Sequence, residues 1–184
     1  MSTTTLDRAR AIDELLIKQE ISDLMMRYCR GVNRMDMDLV RSCFHPDATE
    51  DHGPTRTDAM TYVDGLGKVL EAAFVSTYHF IGNQLVEIQG NRASHEAYFI
   101  GYHRLAPDEN GVEKDVLFGG RYLSVLESRN GGPWLFLDRT VVNDWSRVDP
   151  VIENWSMAER FKRGQSSRDD LVFHLLDHDR LSRV

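Results

Sequence analysis

The chain has 184 residues, 41% of them hydrophobic and 28% charged, which suits one globular domain with a single sizeable core. Its formal charge of −7 supplies no basic surface for nucleic acid and disfavours polyanionic substrates. No stretch approaches the roughly 20 apolar residues of a membrane span, and the polar start MSTTTLDRARAIDELL lacks the apolar core of a signal peptide, so the expected compartment is the cytoplasm.

Ile12, Leu15, Leu16, Ile21, Leu24, Met25 and Tyr28 recur at helical spacing and predict a long amphipathic helix over 6–32. Gly31 breaks it, and Asp36 or Asp38 caps a shorter helix over LVRSCF. A third helix runs through TDAMTYVDGLGKVLEAAF, weakened in its middle by Gly65 and Gly67. Four long β-like runs follow, at 76–89, 92–106, 113–128 and 133–147, separated by the turn signals QGNR, APDENG and RNGG. Three helices followed by a meander predict an α+β fold. Its strongly curved antiparallel or mixed sheet forms a cone-like barrel, and the N-terminal helices close over a hydrophobic cavity. The tail has short helical patterns around Trp155 and Leu171–Leu176. The domain is therefore assigned to 1–148, and 149–184 to an extension that serves as a lid or an oligomer contact. Cys29 and Cys43 belong to no CxxC pair and read as buried thiols.

Alternation along a strand puts every second residue on one face. His79, Ile81, Asn83 and Leu85 share one in the first long strand, and Ala97, Phe99, Gly101 and His103 in the second. Leu137, Arg139, Val141, Asn143 and Trp145 share one in the last. Buried polar groups are costly unless paired, and a few converging in an apolar cavity make a small-molecule site. A lone strand histidine is more often a satisfied core residue, and a one-residue slip would turn Arg139 outward to pair on the surface. His45 and His52 in a loop, His95 near a strand start, and His174 and His178 in the tail carry less weight. A metal set of His45, Asp47, Asp51 and His52 would need a convergence that spacing does not guarantee. With no glycine-rich nucleotide loop after a strand and no metal triad, neither cofactor nor metal is expected.

The order helix–RYCRGVNRMDMDLVRSCFHPDA–helix–YHFIGN–YFIGYHRL–WLFLDRTVVNDW resembles the SnoaL-like branch of the nuclear transport factor 2-like superfamily, from residue 10 to about 148. That resemblance implies an α+β cone. It leaves the reaction open among dehydratases, isomerases, polyketide cyclases, epoxide hydrolases, deformylating lyases and binding modules. HFIG at 79–82 and IGYH at 100–103 look like the two histidine strands of the scytalone dehydratase type. The bile-acid 7α-dehydratase and hexachlorocyclohexane dehydrochlorinase types instead combine a histidine, an arginine and an aspartate, which fall on His79, Arg139 and Asn33. The helix-end tyrosine of the bile-acid type falls on Tyr28.

Asn33 departs from the pattern, because an amide orients the imidazole but stabilises no imidazolium charge. The resemblance implies a cofactor-free lyase in which His79 is the acid or base and Asn33 orients it. Tyr28, His103 and Arg139 would bind or polarise substrate oxygens, and Asn83, Phe99, Leu137, Asn143 and Trp145 would line the binding surface. The expected substrate is a hydrophobic hydroxylated cyclic or aromatic compound. It loses water, or loses formaldehyde by a retro-aldol-like cleavage of a lignin-type diaryl-propanoid. The competing classes are a non-catalytic hydrophobic-ligand-binding module and a cyclase or isomerase of the same fold. Sheet-to-sheet packing in the superfamily implies a homodimer or homotrimer.

Overall fold

The computed structural model describes residues 3–53, 56–151 and 160–175. Trp155, Leu176 and His178 lie outside the described residues. Helix α1 (Thr3–Asn33) and the short α2 (Met37–Arg41) lead into strands β1 (Phe44–Asp51) and β2 (Arg56–Asp58), then α3 (Ala59–Ala73). The long strands β3 (Phe74–Gln89), β4 (Arg92–Leu105), β5 (Lys114–Ser128) and β6 (Trp134–Pro150) complete the sheet, and a 3-10 turn spans Leu171–His174. The sheet order is β2-β1-β6-β5-β4-β3. Among the described residues only the β1–β6 contact is parallel; the other pairs are antiparallel. The sheet curls under the helices without closing, as an α+β cone with edges at β2 and β3.

Helix α1 docks through Ile21, Leu24, Met25, Tyr28, Cys29 and Val32, all buried and all at helical spacing. Ile12, Leu15 and Leu16 continue the same stripe in the N-terminal half of the 31-residue helix but stay exposed. Asp36 caps α2 by accepting the Leu39 N–H at 3.2 Å, and Asp58 caps α3 by accepting the Thr61 N–H at 2.9 Å. Cys29 and Cys43 are buried free thiols, and burial pushes them up to about 12 and about 11.

Strand β4 alternates without interruption: Ala93, His95, Ala97, Phe99, Gly101 and His103 are all buried against the helices. Its neighbours do not keep step. The β3 register runs Ile81↔Phe99 and then Gln84↔Ala97, so β3 holds one extra residue at Gly82–Asn83. Strand β6 holds two more, at Leu137 and at Asp144. Such bulges sharpen twist and reverse which residues face inward. The outer face of the sheet is left with exposed Tyr78, Phe80, Tyr98, Ile100 and Trp145. Residues 160–175 return to the C-terminal end of α1, where Arg34 pairs with Asp170 at 3.2 Å and Arg168 with Asp36 at 2.7 Å.

Candidate active site

A cavity of about 580 Å³ opens between the inner face of the sheet and helices α1 and α3. Its wall is mainly apolar. Phe99 and Tyr122 stack at 4.4 Å, with Phe118, Val141, Phe74, Leu66, Val69, Leu70 and Val32 around them. The polar side chains reaching it are Tyr28, Tyr62, His52, His79, His103, Thr57, Thr61 and Asn143. This ratio of apolar wall to a few placed polar groups is that of a small-molecule pocket.

His79 projects from β3 toward the end of α1. Its Nδ1 lies 2.7 Å from Asn33 Oδ1. A carbonyl oxygen only accepts, so Nδ1 carries the proton and Nε2 keeps its lone pair. Asn33 itself is buried, which fixes the ring. Burial, followed by the neighbouring His103, His52 and Arg139, drops the His79 pKa to about 3, so the ring is neutral across the physiological range. His103 meets it edge-on, with ring centroids 5.4 Å apart at 85°. It packs between Phe74 at 4.6 Å and Phe118 at 4.9 Å, and burial lowers its pKa to about 4. Its Nδ1 finds no partner among the described residues, so the satisfied-core explanation of this histidine fails.

Arg139 lies behind the cavity wall rather than in it. The parallel register places Glu50 beside it, and the two form a bidentate pair with Nε–Oε2 and Nη2–Oε1 at 2.9 Å each. Both side chains are fully buried. The guanidinium lies 3.7 Å from the centroid of the Tyr28 ring, with Phe44, Tyr122 and Phe136 at 5.1–5.3 Å. Burial alone would raise the Glu50 carboxyl; the charge of Arg139 and the hydrogen bonds from His52 and Arg139 outweigh it and hold it below the ordinary range. From Glu50 a chain of polar contacts runs back to the cavity. His52 Nδ1 is 3.2 Å from Glu50 Oε1 and 3.0 Å from Tyr62 Oη. Tyr62 Oη is in turn 3.2 Å from Tyr28 Oη.

A SnoaL-like domain model matches residues 13–140. The chain belongs to the SnoaL-like family. Among solved structures, a provisionally named scytalone dehydratase from Novosphingobium aromaticivorans is 15% identical over 73% of this chain and 88% of that one, with a TM-score of 0.64. The hexachlorocyclohexane dehydrochlorinase LinA-type3 from Novosphingobium barchaimii is 19% identical over 77% and 94%, with a TM-score of 0.66. A provisionally named aromatic ring hydroxylase from Novosphingobium aromaticivorans is 24% identical over 74% and 94%, with a TM-score of 0.63. Those likenesses establish the nuclear transport factor 2-like fold and no reaction. No curated protein sequence matches the chain.

In this SnoaL-like protein, Tyr28, His79, His103, Phe99 and Asn143 share one cavity, with Asn33 held against His79. The other expected positions lie elsewhere. The β3 bulge turns Asn83 out to solvent and exposes Leu85, while Gln84 takes the inward place. The bulge at Leu137 removes that residue from the inner row, which passes from Phe136 to Arg139. The bulge at Asp144 puts Trp145 over Gly119, where an added Cβ would lie 2.1 Å from Trp145 Nε1. Arg139 faces inward as expected, but Glu50 and the Tyr28 ring separate it from a ligand.

His45, Asp47 and His52 disperse to Glu127 O, Arg129 and Glu50. Among the described residues no three His, Cys, Asp or Glu side chains gather as metal ligands, and no helix is long and apolar enough to cross a membrane. Glu50 and Tyr62 escaped the sequence analysis, and His52 figured in it only as a loop histidine and a member of a candidate metal set. The signals were there: Ala48, Glu50 and His52 alternate, and Tyr62 shares a helical stripe with Leu66 and Val69.

Proposed function

We propose that this protein is a cofactor-independent lyase acting on an uncharged, hydrophobic, hydroxylated cyclic or aromatic compound. The observation that carries this reading is His79, held at Nδ1 by Asn33 at 2.7 Å so that an unprotonated Nε2 is left to act in an apolar cavity. His79 Nε2 takes the proton next to an activating group. The Tyr28 hydroxyl, backed by Tyr62 at 3.2 Å, donates to the oxygen on which charge develops. Arg139 acts through the Tyr28 ring and positions Glu50. His103 and Asn143 contact ligand oxygens. A dehydratase and a dehydrochlorinase among the structural neighbours both carry the names of eliminations, which is in line with loss of water. Retro-aldol loss of formaldehyde from a diaryl-propanoid is the close variant. Asn33 favours a second reading, a ligand-binding module without turnover, since a histidine with a pKa of about 3 is a weak base. The exposed apolar residues on the outer sheet face support a homodimer or homotrimer, and 149–184 a lid or a contact within it.

The test is incubation with hydroxylated steroid, polyketide and diaryl-propanoid panels without added cofactor, followed by product mass. Loss of water or of a formaldehyde unit supports a lyase, and an isomer of unchanged mass a cyclase or isomerase. Tight binding without conversion supports the module. His79→Ala should abolish any turnover, and near-native turnover by this variant would remove His79 from the mechanism.

A further inference from the structure

We propose that His52, paired with Glu50, is a second acid–base centre of this cavity, and that it takes the proton of an acidic hydroxyl, a phenol or an enol, on the bound compound. The inference deepens the lyase reading, but its test needs no turnover. His52 Nδ1 faces two oxygens, Glu50 Oε1 at 3.2 Å and Tyr62 Oη at 3.0 Å. An N–H serves both at once, whereas an unprotonated Nδ1 would set a lone pair against a carboxylate. Nδ1 therefore carries the hydrogen and Nε2 is the basic nitrogen.

His79 is held in the same way, with one chemical difference: its acceptor is an amide and that of His52 is a carboxylate. A neighbouring anion stabilises an imidazolium, and an amide carbonyl does so far less. Glu50 is locked in its anionic form by the bidentate Arg139 pair. The carboxylate–imidazole dyad that Asn33 denies to His79 is thus present at His52. Strands β1 and β3 stand far apart in the sheet order, and the curl of the sheet brings both histidines onto one cavity.

The step balances within the complex. The ligand O–H bond breaks, its electron pair stays on oxygen, and the proton forms an N–H bond at His52 Nε2. The result is an imidazolium beside Glu50 and an oxyanion in the cavity. Tyr62, accepting from His52, donates on to Tyr28, and the Tyr28 hydroxyl is left to donate to that oxyanion. The proton returns to the product oxygen at the end of the cycle.

The probe is 4-nitrophenol, whose phenolate absorbs in the visible, titrated into the protein about one pH unit below the phenol's own pKa. There about one tenth of the free probe is ionised. Wild type should bind it mainly as phenolate. His52→Gln, a substitution at a partly exposed ring, should hold the bound probe as neutral phenol, a loss of about tenfold in the ionised-to-neutral ratio. His79→Gln should leave that ratio unchanged. Binding as neutral phenol, failure to bind, equal ionisation by folded His52→Gln, or loss of ionisation in His79→Gln instead would each overturn the proposal. An inactive substrate panel combined with His52-dependent ionisation would sink the lyase reading and leave the second centre standing.

Discussion

Asn33→Asp would place a carboxylate where His79 now meets an amide, at 2.7 Å from Nδ1. With the charge centres of the introduced carboxylate and an imidazolium about 4 Å apart and an effective dielectric near 20, the attraction is about 4 kcal/mol. That is roughly a thousandfold in the protonation equilibrium. His79 should move from about 3 back toward neutrality, less the cost of burying the new carboxylate. The direct assay is an NMR titration of the histidine ring carbons, with His79 assigned by loss of its signal in His79→Gln. Two consequences follow. The acid limb of any turnover profile should rise in pH with the His79 titration, and the variant should lose less stability than wild type between pH 6 and pH 4. A His79 resonance that titrates at the wild-type position in folded Asn33→Asp would refute the claim that the amide at 33 keeps this ring neutral.

Glu50→Gln breaks a fully buried ion pair and strands Arg139, so chemical denaturation should show a loss of roughly 3–5 kcal/mol; a loss under about 1 kcal/mol would mean that the pair is not desolvated. His95 and His103, whose pKa values fall to about 4 by burial, stay neutral in the fold and charge when unfolded. Their sign is clear: stability is complete above about pH 6.5 and falls as pH drops toward 4, by up to about 1.4 kcal/mol per pH unit for each ring. A urea midpoint that stays flat from pH 7 to pH 5 would contradict this. Since the arginine behind the cavity, Arg139, is consumed by Glu50, paired ligands differing only by a carboxylate should favour the uncharged member by tenfold or more, about 1.4 kcal/mol, in calorimetric titration.

Secondary structure was legible because the long strands end at strong turn signals, and Gly90, Gly111 and Gly131 take positive φ in those turns. Inward-facing residues were legible only where the strand is regular. Alternation placed all four chosen β4 residues correctly. In β3 and β6 one extra residue inverts the parity, which is why Asn83, Leu137 and Trp145 went astray while His79, Val141 and Asn143 did not. The β3 bulge carries one local signal, Gly82 inside the strand, whereas Leu137 and Asp144 in β6 announce nothing. Arg139 shows a different limit. Its inward direction followed from parity, but its partner Glu50 lies 89 residues earlier, and no spacing rule pairs two residues across a parallel contact.

The identities of residues 33 and 50 then bear on one another through charge. Arg139 supplies one positive charge behind the cavity, and Glu50 neutralises it. A second carboxylate at 33 would be an unpaired anion unless His79 were protonated, at the cost of its service as a ready base. With asparagine there, His79 stays neutral at no electrostatic cost, and His52 alone of the two has an anionic partner. The two histidines of one pocket thereby differ in the charge of their Nδ1 acceptors, a neutral amide for His79 and a carboxylate for His52.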